Sequence, residues 1–139
     1  MDTTPEQVVQ YMMELDAFSR WLGITVLEVR EGYSRITMEV RQEMVNGFGI
    51  AHGGIAFSLA DSAFAFACNN RNNLSVALDT SISFTKQVLT GDQLFAEARE
   101  LHNGRSTGVY LITITNQRQE LVAHFKGTCF RTGKPLLNN

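Results

Sequence analysis

The stretch Asn46-Gly47-Phe48-Gly49-Ile50-Ala51-His52-Gly53-Gly54 and its continuation, Ile55-Ala56-Phe57-Ser58-Leu59-Ala60-Asp61-Ser62-Ala63-Phe64-Ala65-Phe66-Ala67-Cys68, decide the fold. The first part carries four glycines and no hydrophobic period, so it reads as a loop. The second is apolar or small on nearly every side, the mark of a helix buried all round, predicted over 54–70. The polar run Asn69-Asn70-Arg71-Asn72-Asn73 suits its C-terminus and the loop beyond, and is given no chemistry. A helix without a solvent face has to be wrapped by other elements, and both flanks supply strands.

Upstream, residues 24–40 are rich in β-branched side chains around the turn Glu31-Gly32, and Ile36, Met38 and Val40 alternate with Arg35, Thr37 and Glu39. That period of two marks a half-buried strand. Downstream, four strands are predicted at about 75–88, 93–102, 106–117 and 120–131, joined through Thr90-Gly91-Asp92, Asn103-Gly104-Arg105 and Asn116-Gln117-Arg118-Gln119. Asn-Gly is a strong hairpin signal, so consecutive strands are expected to pair antiparallel. The opening residues, 1–22, read as one further helix: Thr4 caps, Pro5 suits the first position and Gln7 completes a capping box. Val8, Tyr11, Met12, Leu15, Phe18 and Leu22 fall on one face of it, and Gly23 ends it. The expectation is an α+β fold in a single domain spanning 1–139, with one long helix wrapped by a curved antiparallel sheet of about five or six strands.

The 12 Lys and Arg against 14 Asp and Glu, with no basic block, exclude a nucleic-acid partner held by phosphate neutralisation. No basic-then-apolar leader and no apolar run near ~18 residues is visible, which reads as a soluble cytoplasmic protein without a membrane partner. Cys68 and Cys129 read as core residues. His102 and His124 have no second ligand at metal-binding spacing, so no metal site is expected.

Asp61 is the one charge in the all-apolar helix. An ionised carboxylate there has to be paired, open to a cavity, or protonated. One reading puts it at the surface or an interface, capping backbone. The other gains from His52-Gly53-Gly54 at the helix N-terminus, where free N–H groups favour a developing oxyanion and glycine lets a carbonyl approach closely. Gly53 and Asp61 are eight residues apart, about 12 Å along one helix axis, so no single carbonyl carbon reaches both. Two helices antiparallel across a two-fold axis would bring each Gly53 to the partner's Asp61, so cooperation between the two groups implies at least a homodimer with two shared sites.

The run Asn46-x5-His52-Gly53-Gly54-x6-Asp61-Ser62-Ala63-Phe64-Ala65 resembles the hotdog-fold acyl-CoA thioesterases, most closely the phenylacetic-acid-degradation (PaaI-type) branch. The resemblance extends through Leu59-Ala60-Asp61, Gly104 with Thr107-Gly108-Val109-Tyr110, and Asn116-Gln117. It implies Asp61 as the catalytic carboxylate, base or nucleophile, Gly53 as the carbonyl-polarising amide, His52 as the residue that orients the loop, and Asn46 as a holder of water or substrate. It also implies a tetramer built as a dimer of dimers. Ala77 and Ala65 stand where related branches carry a water-placing Ser or Thr, and Phe84-Thr85-Lys86-Gln87 lacks the branch's proline.

The residue types suit thioester hydrolysis. The thiolate leaving group has a parent pKa near ~8.5, so no metal or cofactor is required for its departure. The substrate expected is a phenylacetyl-type or related aryl or medium-chain acyl-CoA. Gly54, Ser62 and Phe84 are candidate contacts to it, and Lys86, Arg105 and Lys134 are candidates for the coenzyme phosphates. Trp21, Phe64 and Phe66 read first as core or interface packing. The alternatives are an acyl-CoA or acyl-carrier binding protein with little turnover, and a hotdog dehydratase. The second needs a different spacing of His and acid. A general-base role for His52 ranks below loop ordering, because the helix N-terminus favours its neutral form.

Overall fold

The computed structural model describes residues 2–138. The N-terminal helical stretch is broken where one continuous helix was expected: α1 spans Pro5–Leu15 and α2 spans Ala17–Leu22. The cause is Asp16, whose backbone leaves the helical region (φ −93°, ψ 86°) while its carboxylate accepts from Ser19 N at 2.9 Å and caps α2. A short acidic side chain that can bond its own downstream amide competes with helix continuation. The break also divides the expected apolar stripe. Val8 and Leu22 are buried, whereas Tyr11, Leu15 and Phe18 are exposed, with Phe18 stacked on the ring of Trp21 outside the stripe. The capping box of Thr4 and Gln7 and the left-handed Gly23 at the end of α2 are present as read.

β1 (Thr25–Arg30) and β2 (Tyr33–Glu39) form a hairpin around Gly32, which sits at φ +72°. The long helix α3 spans Gly53–Asn69, and β3 (Ser75–Phe84), β4 (Gln93–Asn103), β5 (Thr107–Thr115) and β6 (Leu121–Arg131) follow. All neighbouring strands are antiparallel in a six-stranded sheet of order β1-β2-β4-β5-β6-β3. α3 packs against every one of the six, and Leu59, Ala60, Ala63, Phe66 and Ala67 are buried in one core with Ile36, Met38, Ala96 and Ile112.

One pairing departs from the expectation for consecutive strands. β3 pairs with β6, not β4, and ends at Phe84 instead of reaching residue 88. The segment that follows crosses the end of the sheet to deliver β4 beside β2, and Gly91-Asp92 is tied there by exchange with Val40 (N···O 2.8 and 2.9 Å). Residues 85–88 leave the regular ladder, Thr85 and Lys86 keeping amide bonds to Val122 O, and lie beside the N-terminus of α3.

Two glycine and asparagine contacts set the position of α3. Gly127 on β6 lies under the Phe64 ring, so closely that a Cβ there would stand 2.8 Å from the ring. At the other end Asn70, fully buried, accepts from Gly32 N and donates to the carbonyls of Arg30 and Tyr33, fastening α3 to the β1–β2 turn. Cys68 and Cys129 are free thiols in the core.

Candidate active site

The N-terminus of α3 is approached by a loop that the backbone sews in place. His52 N donates to Met44 O at 3.1 Å, Ala51 N to Val88 O at 2.8 Å, and Ile55 N to His52 O at 2.9 Å. Asn46 shapes the loop from inside: its Oδ1 accepts from Phe48 N (2.9 Å) and Ile50 N (3.2 Å), and its backbone N–H donates to Ile50 O (2.8 Å). His52 holds the helix cap position with extended backbone (φ −61°, ψ 142°), and its side chain makes no capping bond. The Gly53 and Gly54 amides then open the helix, among the N–H groups that have no intrahelical acceptor.

These amides border a cleft of about 380 Å³ lined by His52, Gly53, Ala56, Phe84, Lys86 and Val88. Phe84, half exposed at the end of β3, lies over Gly53: a Cβ at that position would stand 3.1 Å from the ring's Cζ. The missing side chain at Gly53 therefore keeps both the ring and the amide accessible to a ligand. Lys86 reaches from the cleft to Glu120, Nζ to Oε2 3.1 Å, and hydrogen bonds from Asn116, Arg118 and Lys86 hold the Glu120 carboxyl down at about 2.

Asp61 lies two turns further along α3. Its carboxyl opens to solvent in the protomer, yet the apolar helix around it desolvates it, and this together with the negative charge of Asp16 pushes its pKa above the usual range. Among the described residues of the protomer no donor reaches it. Ser62, expected at the substrate, is instead buried, its hydroxyl 2.8 Å from that of Ser19 on α2. Asn46, His52, Gly53, Gly54, Phe84 and Lys86 are thus gathered at one end of α3, with Asp61 midway along it.

Arg105 does not join them. It lines a depression with Arg71, Asn103, Gly104 and Arg131, and Arg131 bonds the Cys68 carbonyl, which places the depression at the C-terminal end of α3. That end is about 24 Å from Gly53 along the axis. The asparagine run that sequence left without a role is structural: the side chains of Asn69, Asn70, Asn72 and Asn73 accept from Ser75, Gly32, Leu136 with Leu137, and Gly133.

The profile of the Thioesterase superfamily matches residues 48–123, from the glycine loop into β6. The chain belongs to the thioesterase superfamily. The acyl-coenzyme A thioesterase PaaI of Escherichia coli K12 is 45% identical over 122 residues, which cover 88% of this chain and 87% of PaaI. The solved structure of the E. coli PaaI protein from the phenylacetic acid degradation operon has TM-score 0.92 and 43% identity, over 94% of this chain and 95% of that one. A Streptococcus mutans UA159 protein bound to acetyl-CoA has TM-score 0.78 and 34% identity, over 81% of this chain and 90% of that one. The resemblance to the hotdog PaaI-type thioesterases read from the sequence is borne out, and the chain is a thioester hydrolase. In this thioesterase the exit from β3 is made without proline: Thr85 N donates to Val122 O (2.8 Å) and Thr85 Oγ1 to Leu121 O (2.7 Å). Among the described residues no helix is long and apolar enough to cross a membrane.

Proposed function

We propose that this thioesterase hydrolyses a phenylacetyl-type or related aryl or medium-chain acyl-CoA at sites shared between two protomers. The observation that carries the reading is the placement of Gly53 and Asp61 on one rigid helix, about 12 Å apart. Within one protomer the two groups cannot meet at one carbonyl. The unpaired edge strand β3, with Val76 and Leu78 exposed, offers the surface for a two-fold partner, and pairing there continues the sheet and sets the α3 helices side by side. The S. mutans relative bound to acetyl-CoA supports a thioester ligand on this fold.

In the shared site the Gly53 N–H receives the thioester carbonyl oxygen, whose negative charge grows as the tetrahedral intermediate forms. With Asp61 of the opposite protomer as base, its carboxylate takes a proton from water and the water oxygen bonds to the carbonyl carbon. Collapse then breaks the C–S bond, and the thiolate takes up the proton. With Asp61 as nucleophile, a carboxylate oxygen adds first and water cleaves the resulting anhydride; a single turnover in ¹⁸O-water labels Asp61 only in that case. Phe84 beside Gly53 supplies an aromatic wall for the acyl group, and Lys86 a cation at the mouth of the cleft for the coenzyme phosphates. Two such dimers associate into a tetramer.

The test is thiol release from a panel of acyl-CoAs by wild type, Asp61→Asn and Gly53→Pro. Proline is tolerated at a first helical position and His52 already has the backbone it requires, so the second change removes the N–H; its ring also crowds Phe84, and Gly53→Ala, which keeps the N–H and adds the Cβ that would stand 3.1 Å from that ring, is the control for the crowding. Asp61→Asn and Gly53→Pro are each expected to lower kcat/KM by about 10²-fold or more. Reassembling the two inactive variants together restores one intact site per mixed dimer, about a quarter of wild-type activity for random pairing. Full activity in Asp61→Asn would refute the catalytic assignment, and failure of the mixed assembly to recover activity would refute the shared site.

A further inference from the structure

The six-residue helix α2 meets α3 at a polar contact whose geometry exceeds what capping alone requires. Asp16 Oδ1 accepts from Ser19 N at 2.9 Å, which completes the cap. Its second oxygen, Oδ2, receives the Ser19 hydroxyl at 2.6 Å, and that hydroxyl in turn stands 2.8 Å from the hydroxyl of Ser62, both serines being buried. Ser62 is the residue next to Asp61. The chain Asp16–Ser19–Ser62 therefore links the α2 cap carboxylate, through two hydrogen bonds, to the residue that follows Asp61 on α3.

We propose that Asp16 is a positioning residue for Asp61: held by Ser19 and Ser62, its charge sets the surroundings in which Asp61 gives up and accepts a proton. This rests on Asp61 being the catalytic carboxylate. Asp16 is the charged group that acts on Asp61 from outside α3; on α3 itself the Cys68 thiol feels the Asp61 charge, and among the described residues no Lys, Arg or His of α1, α2 or the six strands pairs with Asp61. A like charge nearby disfavours the ionised form and raises the Asp61 pKa beyond what burial does. A carboxylate so placed is a stronger base when ionised and is protonated sooner as the pH falls.

Neutralising Asp16 therefore acts in opposite directions on the two sides of the acid limb of kcat/KM. The readout is the pH profile of the best-hydrolysed acyl-CoA for wild type, Asp16→Asn, Asp16→Glu and Asp61→Asn, with thermal midpoints recorded alongside. Asparagine retains an oxygen for the Ser19 amide, so the cap survives. Its acid limb is expected at lower pH than wild type, with a plateau about twofold lower and a rate below the limb about twofold higher, so that the two profiles cross. Asp16→Glu, which keeps the charge, is expected to return the limb toward its wild-type position. Parallel profiles for wild type and Asp16→Asn, with Asp61→Asn inactive, would overturn this proposal alone. Retention of activity by Asp61→Asn would overturn both it and the assignment on which it rests.

Discussion

Replacing Gly127 with alanine puts a methyl group where the Phe64 ring already lies. The added carbon would stand 2.8, 2.9 and 3.0 Å from Cζ, Cε1 and Cδ1 of that ring, well inside van der Waals contact. The ring has nowhere to retreat, because it is buried between Tyr110 and Phe125 with centroids 5.7 and 5.9 Å away. Overpacking of this kind costs about 1–3 kcal/mol. Loss of a glycine from a strand interior stabilises by about 0.5–1 kcal/mol, so at the middle of both ranges strain wins by about 1 kcal/mol, and at most by about 2.5 kcal/mol. For a chain of this size that lowers the thermal midpoint by about 3–8 °C. The assay is thermal unfolding followed by circular dichroism at one fixed protein concentration, because assembly would otherwise shift the midpoint. Phe64→Leu supplies the control: it costs about 1–2 kcal/mol alone through the space it leaves, and combined with Gly127→Ala it costs less than the sum by about 1 kcal/mol, since the methyl occupies that space. Gly127→Ala with an unchanged midpoint, or strictly additive costs, would refute the claim that Gly127 sets the height of α3 above the sheet.

Asn70→Ala is expected to cost about 2–4 kcal/mol in urea unfolding, because it leaves Gly32 N, the buried Tyr33 carbonyl and the part-buried Arg30 carbonyl without their partner; a cost under about 0.5 kcal/mol would show that water replaces it. The Arg71 guanidinium, bidentate on Glu100 at 2.6 and 2.9 Å, holds that carboxyl below the usual carboxylate range. A lowered folded-state pKa gives stability that is present above the unfolded value of ~4.3 and lost as pH falls through the folded value. The gap in thermal midpoint between wild type and Arg71→Gln should accordingly be widest near neutrality and narrow below pH about 4; a gap constant from pH 3 to 7 would count against the linkage.

Much of this molecule was legible because its signals are local. The all-apolar run 55–68 announces a buried helix, the capping box at Thr4 announces α1, and Asn103-Gly104 announces the β4–β5 turn, each from residues within a few positions of one another. What stayed hidden depends on distant partners. Nothing near β3 in sequence says that Ser75 will face Arg131. The break at Asp16 had a readable cue, an aspartate three residues before Ser19, but the longer apolar period ran across it and concealed the cap. The same holds for the candidate site. Asp61, His52, Gly53 and Asn46 stand out as chemistry in an unlikely setting, whereas the burial of Ser62 and the separation of Arg105 from the cleft follow from which elements pack together. The Asn69–Asn73 run is the clearest case: solvent-loving by composition, it is spent on tying backbone that only the folded chain brings near.

The placement of β3 has a consequence for how this protein is made. Third among the strands in chain order, it lies at the outer edge of the sheet, and its one neighbour there is β6, the last to be synthesised. A ribosome therefore releases an extended segment carrying Leu74, Val76 and Leu78 well before the strand that will shelter one side of it exists. The one hairpin between them, β4–β5, can form as it emerges, but β3 waits for nearly the whole chain. Its vulnerable interval lies in translation, and a slow stretch of codons between residues 85 and 120 would lengthen it.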